Sequence, residues 1–385
     1  MRILIASDIF PPESGGPATY VVSLADALLE AGHEVKIVTL NERADISQTK
    51  APVFVSTAKG KLRRYFRYTD VLVTQAKHAD VIYAMGPVNA GLPAFIAAKI
   101  MRTPLVVKVV GDYAWEQGIQ RFDVADGIDE FQQGTKYPWQ VRALKWVESW
   151  VVRRADSVIV PSEYLRKMVV DWGAKEENVH TVYNAVKFLD VEKMIKLQEE
   201  RRLVFVGRLV AWKGVDTLIE IMPDLLAVDP HIRLQVIGDG PMMKYLRNLV
   251  HVRSLGDYVA FLGQLPREEA LRYVASADAF LLNTGYEGLS HVALEAMSYG
   301  IPVLASTKGG NPEIVVRGKT GDLYEYDNRR EITEVILRSL AEPPVDSGWI
   351  DSGVGKMFFD QFRFDTMIEE TEKHLNILTS KHTNM

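Results

Sequence analysis

Short apolar runs rich in Val and Ile alternate with longer stretches of helical period along the whole chain. In the first half the runs Arg2–Ser7, Glu34–Leu40, Val53–Ser56, Asp80–Ala84, Leu105–Val110 and Asp156–Val160 are apolar nearly throughout. Strands covered on both faces of a parallel sheet have that pattern, whereas half-exposed strands alternate. A helix over Pro17–Ala31 follows a Gly-Gly pair and stops at Gly32, where glycine ends the last turn. Past about Lys187 the series restarts. Strands are predicted at Arg202–Val206, Ile232–Ile237, Val259–Leu262, Asp278–Leu282, Pro302–Ala305 and Gly321–Tyr324, separated by helices Val215–Val228, Met242–Val250, Glu268–Ser276 and His291–Tyr299. Strand–helix alternation implies right-handed crossovers and a doubly wound sheet, and two series imply two sheets. The predicted fold is therefore α/β, with two Rossmann-like domains facing an interdomain cleft. The expected boundaries are 1–186 for the first domain and 187–358 for the second, with 359–385 a helix packing back on the first. A charged helical stretch is expected after Asn184–Asp190 and through Arg202, and a Pro/Gly/Ser-rich connection over Pro343–Gly355 before a last amphipathic helix, Phe364–Leu378.

A length of 385 residues fits two domains, and 47% apolar content excludes a disordered chain. There is no cysteine, which excludes disulfides, thiolate metal sites and cysteine nucleophiles. A formal charge of −5 gives no reason to expect nucleic acid as a partner. Met1 leads straight into the first strand without a secretory leader, and no apolar run reaches the ~18 residues that cross a bilayer. A cytoplasmic location is expected on that basis.

Charge is unevenly distributed. Residues 1–185 carry 22 Lys+Arg against 21 Asp+Glu, and the remainder carries 23 against 29. The basic excess gathers in Lys59–Tyr68, and a second segment from Tyr137 to Arg154 also interleaves cations with aromatics. Such segments suit peripheral contact with an anionic membrane at its inner face, or a solvated helix face with buried ring edges.

The candidate chemistry lies just after strands, where doubly wound sheets bind ligands. Glu287-Gly288-Leu289-Ser290-His291 leaves a strand and opens a helix, and Glu295 follows inside that helix. Backbone amides of Gly288, Leu289 and Ser290 at a helix N-terminus favour a phosphate. Carboxylates accept sugar hydroxyls, so Glu287 and Glu295 flanking a phosphate suit a nucleotide-sugar. Gly207-Arg208-Leu209-Val210-Ala211-Trp212-Lys213-Gly214 supplies two cations suited to a diphosphate, without Walker spacing. Gly15-Gly16 forms a turn between the first strand and helix that lets a ligand approach the backbone. The Gly-x-Gly-x-x-Gly pattern of dinucleotide enzymes is missing there.

Together with Val236-Ile237-Gly238-Asp239-Gly240-Pro241 and Gly309-Gly310-Asn311-Pro312-Glu313-Ile314, this ordered set resembles the retaining GT-B glycosyltransferases of family 4 over nearly the whole chain. The resemblance implies that Arg208 and Lys213 hold the donor diphosphate and stabilise the leaving group. It also implies that Glu287 contacts the transferred sugar and Glu295 the ribose hydroxyls. The amides of Gly288–Ser290 would complete the phosphate site, Gly16 would bring the first domain's backbone against the donor, and the nucleobase would lie by the loops after Ile237 and Leu262, Gly238 among them. Family members often carry a histidine near the end of the fifth strand; here the segment reads Lys108-Val109-Val110-Gly111-Asp112. Asp112 takes part of that role or caps the next helix. His291 reaches the phosphate or sits in the first helical turn.

The implied reaction moves a hexose from a UDP- or GDP-type donor to a glycan or lipid-linked acceptor, with retention of configuration. No cofactor is implied. With no Asp-x-Asp motif and no His cluster, it is expected to be metal-independent. A nucleotide-sugar 2-epimerase of the same architecture is the alternative. A pyridoxal-dependent phosphorylase and a degenerate, non-catalytic partner subunit are more distant ones.

Overall fold

The computed structural model describes residues 1–13, 16–186, 191–192, 200–342 and 352–383. The chain divides into two units, Met1–Tyr183 with Asp365–Met385, and Asn184–Phe364.

The first unit is built on seven strands: β1 (Arg2–Ser7), β2 (Glu34–Thr39), β3 (Val53–Val55), β4 (Val81–Met85), β5 (Leu105–Lys108), β6 (Ser157–Val160) and β7 (Val179–Thr181). All pair in parallel, in the order β3-β2-β1-β4-β5-β6-β7. Ile5 of β1 sits between Ile37 and Tyr83, and all three are fully buried. Helices cover both faces of this sheet, which is why its strands read as unbroken apolar runs. The helix Phe364–Thr383 belongs to this unit from Asp365 onward. It buries Thr371 and Leu375 and pairs Glu372 with His33 at 2.6 Å.

The second unit has six strands: β8 (Arg201–Val206), β9 (Ile232–Ile237), β10 (Val259–Gly263), β11 (Ala279–Leu282), β12 (Val303–Ser306) and β13 (Gly321–Tyr324). They are also parallel, in the order β10-β9-β8-β11-β12-β13. Its core joins Leu203, Phe205, Val236, Leu281 and Leu304 of the sheet to Leu218 and Ile336 of the covering helices. In each unit the strand order reverses once, at β1/β4 and at β8/β11. Loops leaving the carboxyl ends of those pairs diverge to opposite faces and leave a crevice where ligands bind.

Several expectations need correction. The helix Val215–Val228 is two helices, Val215–Glu220 and Met222–Val228. Pro223 has no amide to give the preceding turn, so the first helix ends before it. Arg201 and Arg202 are strand, not the end of a charged helix; Arg202 is buried, with Nε 3.0 Å from Glu200 and Nη1 3.1 Å from Ser276 Oγ. The rest of that charged stretch falls largely outside the described residues. So does the start of the Pro343–Gly355 connection, whose last residues open a helix, Gly353–Asp360, capped by Ser352. Strand β7 was missed, because Val179-His180-Thr181 is too short and polar to stand out.

Candidate functional site

The second unit brings most of the singled-out residues to one end of its sheet. The loops after β8 and β9 lie backbone against backbone. The Gly207 amide donates to the Ile237 carbonyl at 3.0 Å, and the Leu209 amide donates to that of Asp239 at 2.9 Å. Gly238 makes this contact possible. Its φ is +130°, and a Cβ there would run into the Gly207 carbonyl oxygen. The glycine thus builds the loop pair. The Arg208 side chain projects from it, exposed and with no hydrogen-bond or ion-pair partner among the described residues.

Lys213 ends a single 3-10 turn, Ala211–Lys213, before the helix Val215–Glu220. Its ammonium forms an ion pair with Glu287 from the loop after β11. Both side chains are mostly buried, so the pair sits where its Coulomb energy is less screened than at the surface. The Glu287 backbone is fixed from a third loop, after β12. The Gly310 amide donates to the Glu287 carbonyl at 2.8 Å, and Gly309, at φ +65°, lies so close that a Cβ would collide with the same oxygen. The Gly309-Gly310 pair therefore clamps the Glu287 main chain.

Beyond Glu287, Leu289 and Ser290 are buried, and the Ser290 hydroxyl caps the helix His291–Ser298 by accepting from the Ala293 amide at 3.3 Å. Glu295 lies in that helix, buried, with its carboxylate on the guanidinium of Arg267. Burial pushes the Glu295 carboxyl above its ordinary range, and the Arg267 charge draws it back. His291 is the first residue of the same helix. Its Nδ1 lies 3.2 Å from the Ala185 carbonyl. Among the described residues no group of three or more His, Asp or Glu is arranged to hold a metal ion.

Arg208, Lys213, Gly238, Glu287, Gly288, Leu289 and Ser290 thus lie on loops at or next to the β8/β11 switch point, and Glu295 lies in the helix that follows them. Residues 187–353 match the family model "Glycosyl transferases group 1", and residues 15–185 match the "Glycosyl transferase 4-like domain". The chain belongs to the group 1, GT4-type glycosyltransferases.

An uncharacterized glycosyltransferase of Methanocaldococcus jannaschii is 25% identical over 96% of this chain and 97% of its own. A GDP-mannose-dependent alpha-(1-6)-phosphatidylinositol monomannoside mannosyltransferase of Mycobacterium tuberculosis is 35% identical over 46% of this chain. That match spans 48% of the mannosyltransferase, about half its length. Among solved structures, Anabaena HepE in complex with UDP superposes with a TM-score of 0.77, covering 98% of this chain and all of its own at 22% identity. The fold is α/β, of GT-B type.

The remaining residues of this glycosyltransferase lie in the first unit. Gly16 opens the helix Gly16–Glu30, and Gly15 lies outside the described residues. Asp112 is buried at the start of the helix Tyr113–Arg121. Its Oδ1 accepts from the Trp115 amide at 2.7 Å and its Oδ2 from Gln132 Nε2 at 2.7 Å, so both oxygens are engaged. Burial raises its pKa, against the pull of those two hydrogen bonds. Beside it the buried Glu148 takes the Tyr113 amide at 2.8 Å, and burial, followed by the Asp112 charge, pushes its carboxyl well up.

Arg267 and Glu148 were missed in the sequence. Arg267 looks like any cation in the first turn of an exposed helix, and only the sheet order reveals Glu295 beside it. Glu148 carries a faint signal, an acid among the apolar and aromatic residues of Trp139–Val152.

Proposed function

We propose that this glycosyltransferase moves a hexose from a UDP- or GDP-linked donor to a glycan or lipid-linked acceptor, retaining the anomeric configuration and needing no metal ion. The observation that carries the reading is the Lys213–Glu287 ion pair across the β8/β11 switch point, with Arg208 on the loop after β8 and Glu295 in the helix that follows the Glu287 loop. A nucleotide-sugar needs both signs of charge, cations for the diphosphate and acceptors for the hydroxyls at either end. The UDP complex of HepE and the GDP-mannose dependence of the mycobacterial mannosyltransferases support such a donor.

In the proposed reaction the bond from the anomeric carbon to the diphosphate oxygen breaks first. The sugar becomes an oxocarbenium-like ion held against the leaving diphosphate. The acceptor hydroxyl attacks from the side the diphosphate leaves, and its proton passes to the leaving phosphate oxygen. Arg208 and Lys213 take up the negative charge that grows on the diphosphate, the role a preorganised site fills most effectively. Lys213 reaches it by exchanging part of its bond to Glu287 for a phosphate oxygen. Glu287 then accepts from hydroxyls of the transferred sugar, and Glu295 from those of the ribose. The amides of Gly288, Leu289 and Ser290 receive a phosphate oxygen, and Gly238, by letting the β8 and β9 loops touch, shapes the edge of the site beside the nucleoside.

Asp112, with both oxygens engaged, acts as a positioning residue through the helix it caps. Incubation with a panel of UDP-, GDP- and ADP-hexoses, with the anomeric proton signals followed by NMR, tests the reading. Release of free nucleotide from one donor supports it. A new nucleotide-sugar formed without acceptor would identify a 2-epimerase instead.

A further inference from the structure

We propose that the first unit carries a docking face for an anionic lipid bilayer, formed by the helices Lys61–Ala76, Gly91–Met101 and Trp139–Val152. The face lies wholly in that unit and is independent of the donor-site reading. These helices make the connections β3 to β4, β4 to β5 and β5 to β6, which all advance the same way along the sheet. Right-handed crossovers therefore put all three on one side, and each packs on the next.

Their outward surface is apolar where solvent should meet it. Leu62 and Phe66 are each 76% exposed, Trp139 is 72% and Trp146 is 62%, with Ile96 and Ile100 exposed between them. Side chains at Trp139, Arg142, Trp146, Trp150 and Arg154 recur every three or four positions, so they form one stripe along the last helix and its exit. The rings join the helices: Phe95 meets Trp150 edge-on at 4.6 Å, and Trp150 stacks on Trp146 at 5.9 Å. The rings of Trp139, Trp146 and Phe66 are exposed, while that of Tyr68 is buried.

Charge identifies the occupant. Within the three helices the only carboxylates are Asp70, paired to Arg67 at 2.9 Å, and the buried Glu148. Arg63, Lys99, Arg142 and Arg154 are exposed around the aromatics. The Arg154 guanidinium lies 4.6 Å from the Trp150 ring centre, and Lys99 Nζ lies 5.4 Å from that of Phe95. At the edge of the face a cavity of about 300 Å³ is lined by Phe95, Lys99, Arg102, Arg154, His382 and Asp156, among others. Asp156 turns one oxygen, Oδ2, to the Leu105 amide at 2.9 Å. Cations therefore predominate around a hollow large enough for a phosphate headgroup. Aromatic rings ringed by Lys and Arg match the headgroup level of an anionic membrane, with rings at the acyl boundary and cations on the phosphates. This patch is basic in a chain whose net charge is −5, so attraction arises locally and not from the protein as a whole.

Co-sedimentation of the full chain with vesicles of phosphatidylcholine alone, or with phosphatidylglycerol added, tests the proposal. Binding is expected only with the anionic lipid, and it should weaken with salt. The pair Arg142→Gln/Arg154→Gln should weaken it about 30-fold, at roughly 1 kcal/mol per cation. Trp139→Ser/Trp146→Ser should reduce it at least as much, with circular dichroism and nucleotide release unchanged. Equal binding to neutral vesicles, or no binding to either, would overturn the proposal, as would a folded double variant that binds like the wild type. Sedimentation equilibrium adds a further arm: a dimer that the tryptophan variant dissociates would make this a self-interface and contradict the lipid assignment.

Discussion

Lys213 and Glu287, carried on loops after the neighbouring strands β8 and β11, close an ion pair at the point where the strand order of the second unit reverses. The pair links a cation suited to a diphosphate with a carboxylate suited to a sugar. Removing the cation should therefore affect the transition state more than the ground state, because charge on the leaving group grows during bond breaking. Lys213→Ala and Arg208→Ala are each expected to lower kcat roughly 100- to 1,000-fold. Continuous assay of nucleotide release checks this, and wild-type turnover in both variants would refute the phosphate assignment.

Arg267 should set the pH range in which the nucleotide binds. In its proposed role Glu295 accepts from ribose hydroxyls as a carboxylate, and burial raises its pKa while Arg267 lowers it. Donor affinity should fall as pH drops through that pKa. In Arg267→Met burial is no longer opposed, so the fall should begin at a higher pH, and Arg267→Lys should restore part of the wild-type profile. Calorimetric titration of nucleotide between pH 5 and 8 reads the shift; superimposable profiles would contradict the assignment.

Much of this site is legible in the sequence because glycines and charges fall just after apolar runs. Gly238 and Gly309 can be picked out as parts of motifs, although what they do, bringing a second backbone into contact, needs the neighbouring loop to be known. Asp112 was ambiguous for a physical reason: an Asp at a strand end has the same local pattern whether it caps a helix or faces a ligand. Arg267 could not be inferred, since 28 positions separate it from Glu295 and only helix packing brings them together. Pro223 did signal the break inside Val215–Val228, but the apolar period runs through it and masked the signal.

Gly238→Ala should disturb the site without touching a ligand-binding side chain. The added Cβ collides with the Gly207 carbonyl and meets a backbone angle disfavoured for L residues. A loss of roughly 1–3 kcal/mol is expected, with weaker nucleotide binding as the β8 and β9 loops part. Denaturant unfolding and nucleotide titration on the same sample measure both.

Lys108 gives a pH signature in the first unit. It is fully buried, its ammonium donates to the Val182 carbonyl at 3.2 Å, and burial brings its pKa down to about 7. Between that value and its ordinary 10.5 the unfolded chain holds a proton that the folded chain lacks. Stability should therefore rise with pH across this window through this group. Lys108→Met should remove that slope and raise Tm most near neutral pH. Thermal unfolding of both proteins at pH 7 and 9 checks it, and a constant difference in Tm would contradict the role of Lys108.

The most direct test of the central claim is the anomeric configuration of the product, read by proton NMR with the preferred donor and an acceptor, with and without EDTA. The product should keep the donor's configuration, with free nucleotide in equal amount and a rate unchanged by the chelator. An inverted product, or activity lost in EDTA and restored by manganese, would contradict it.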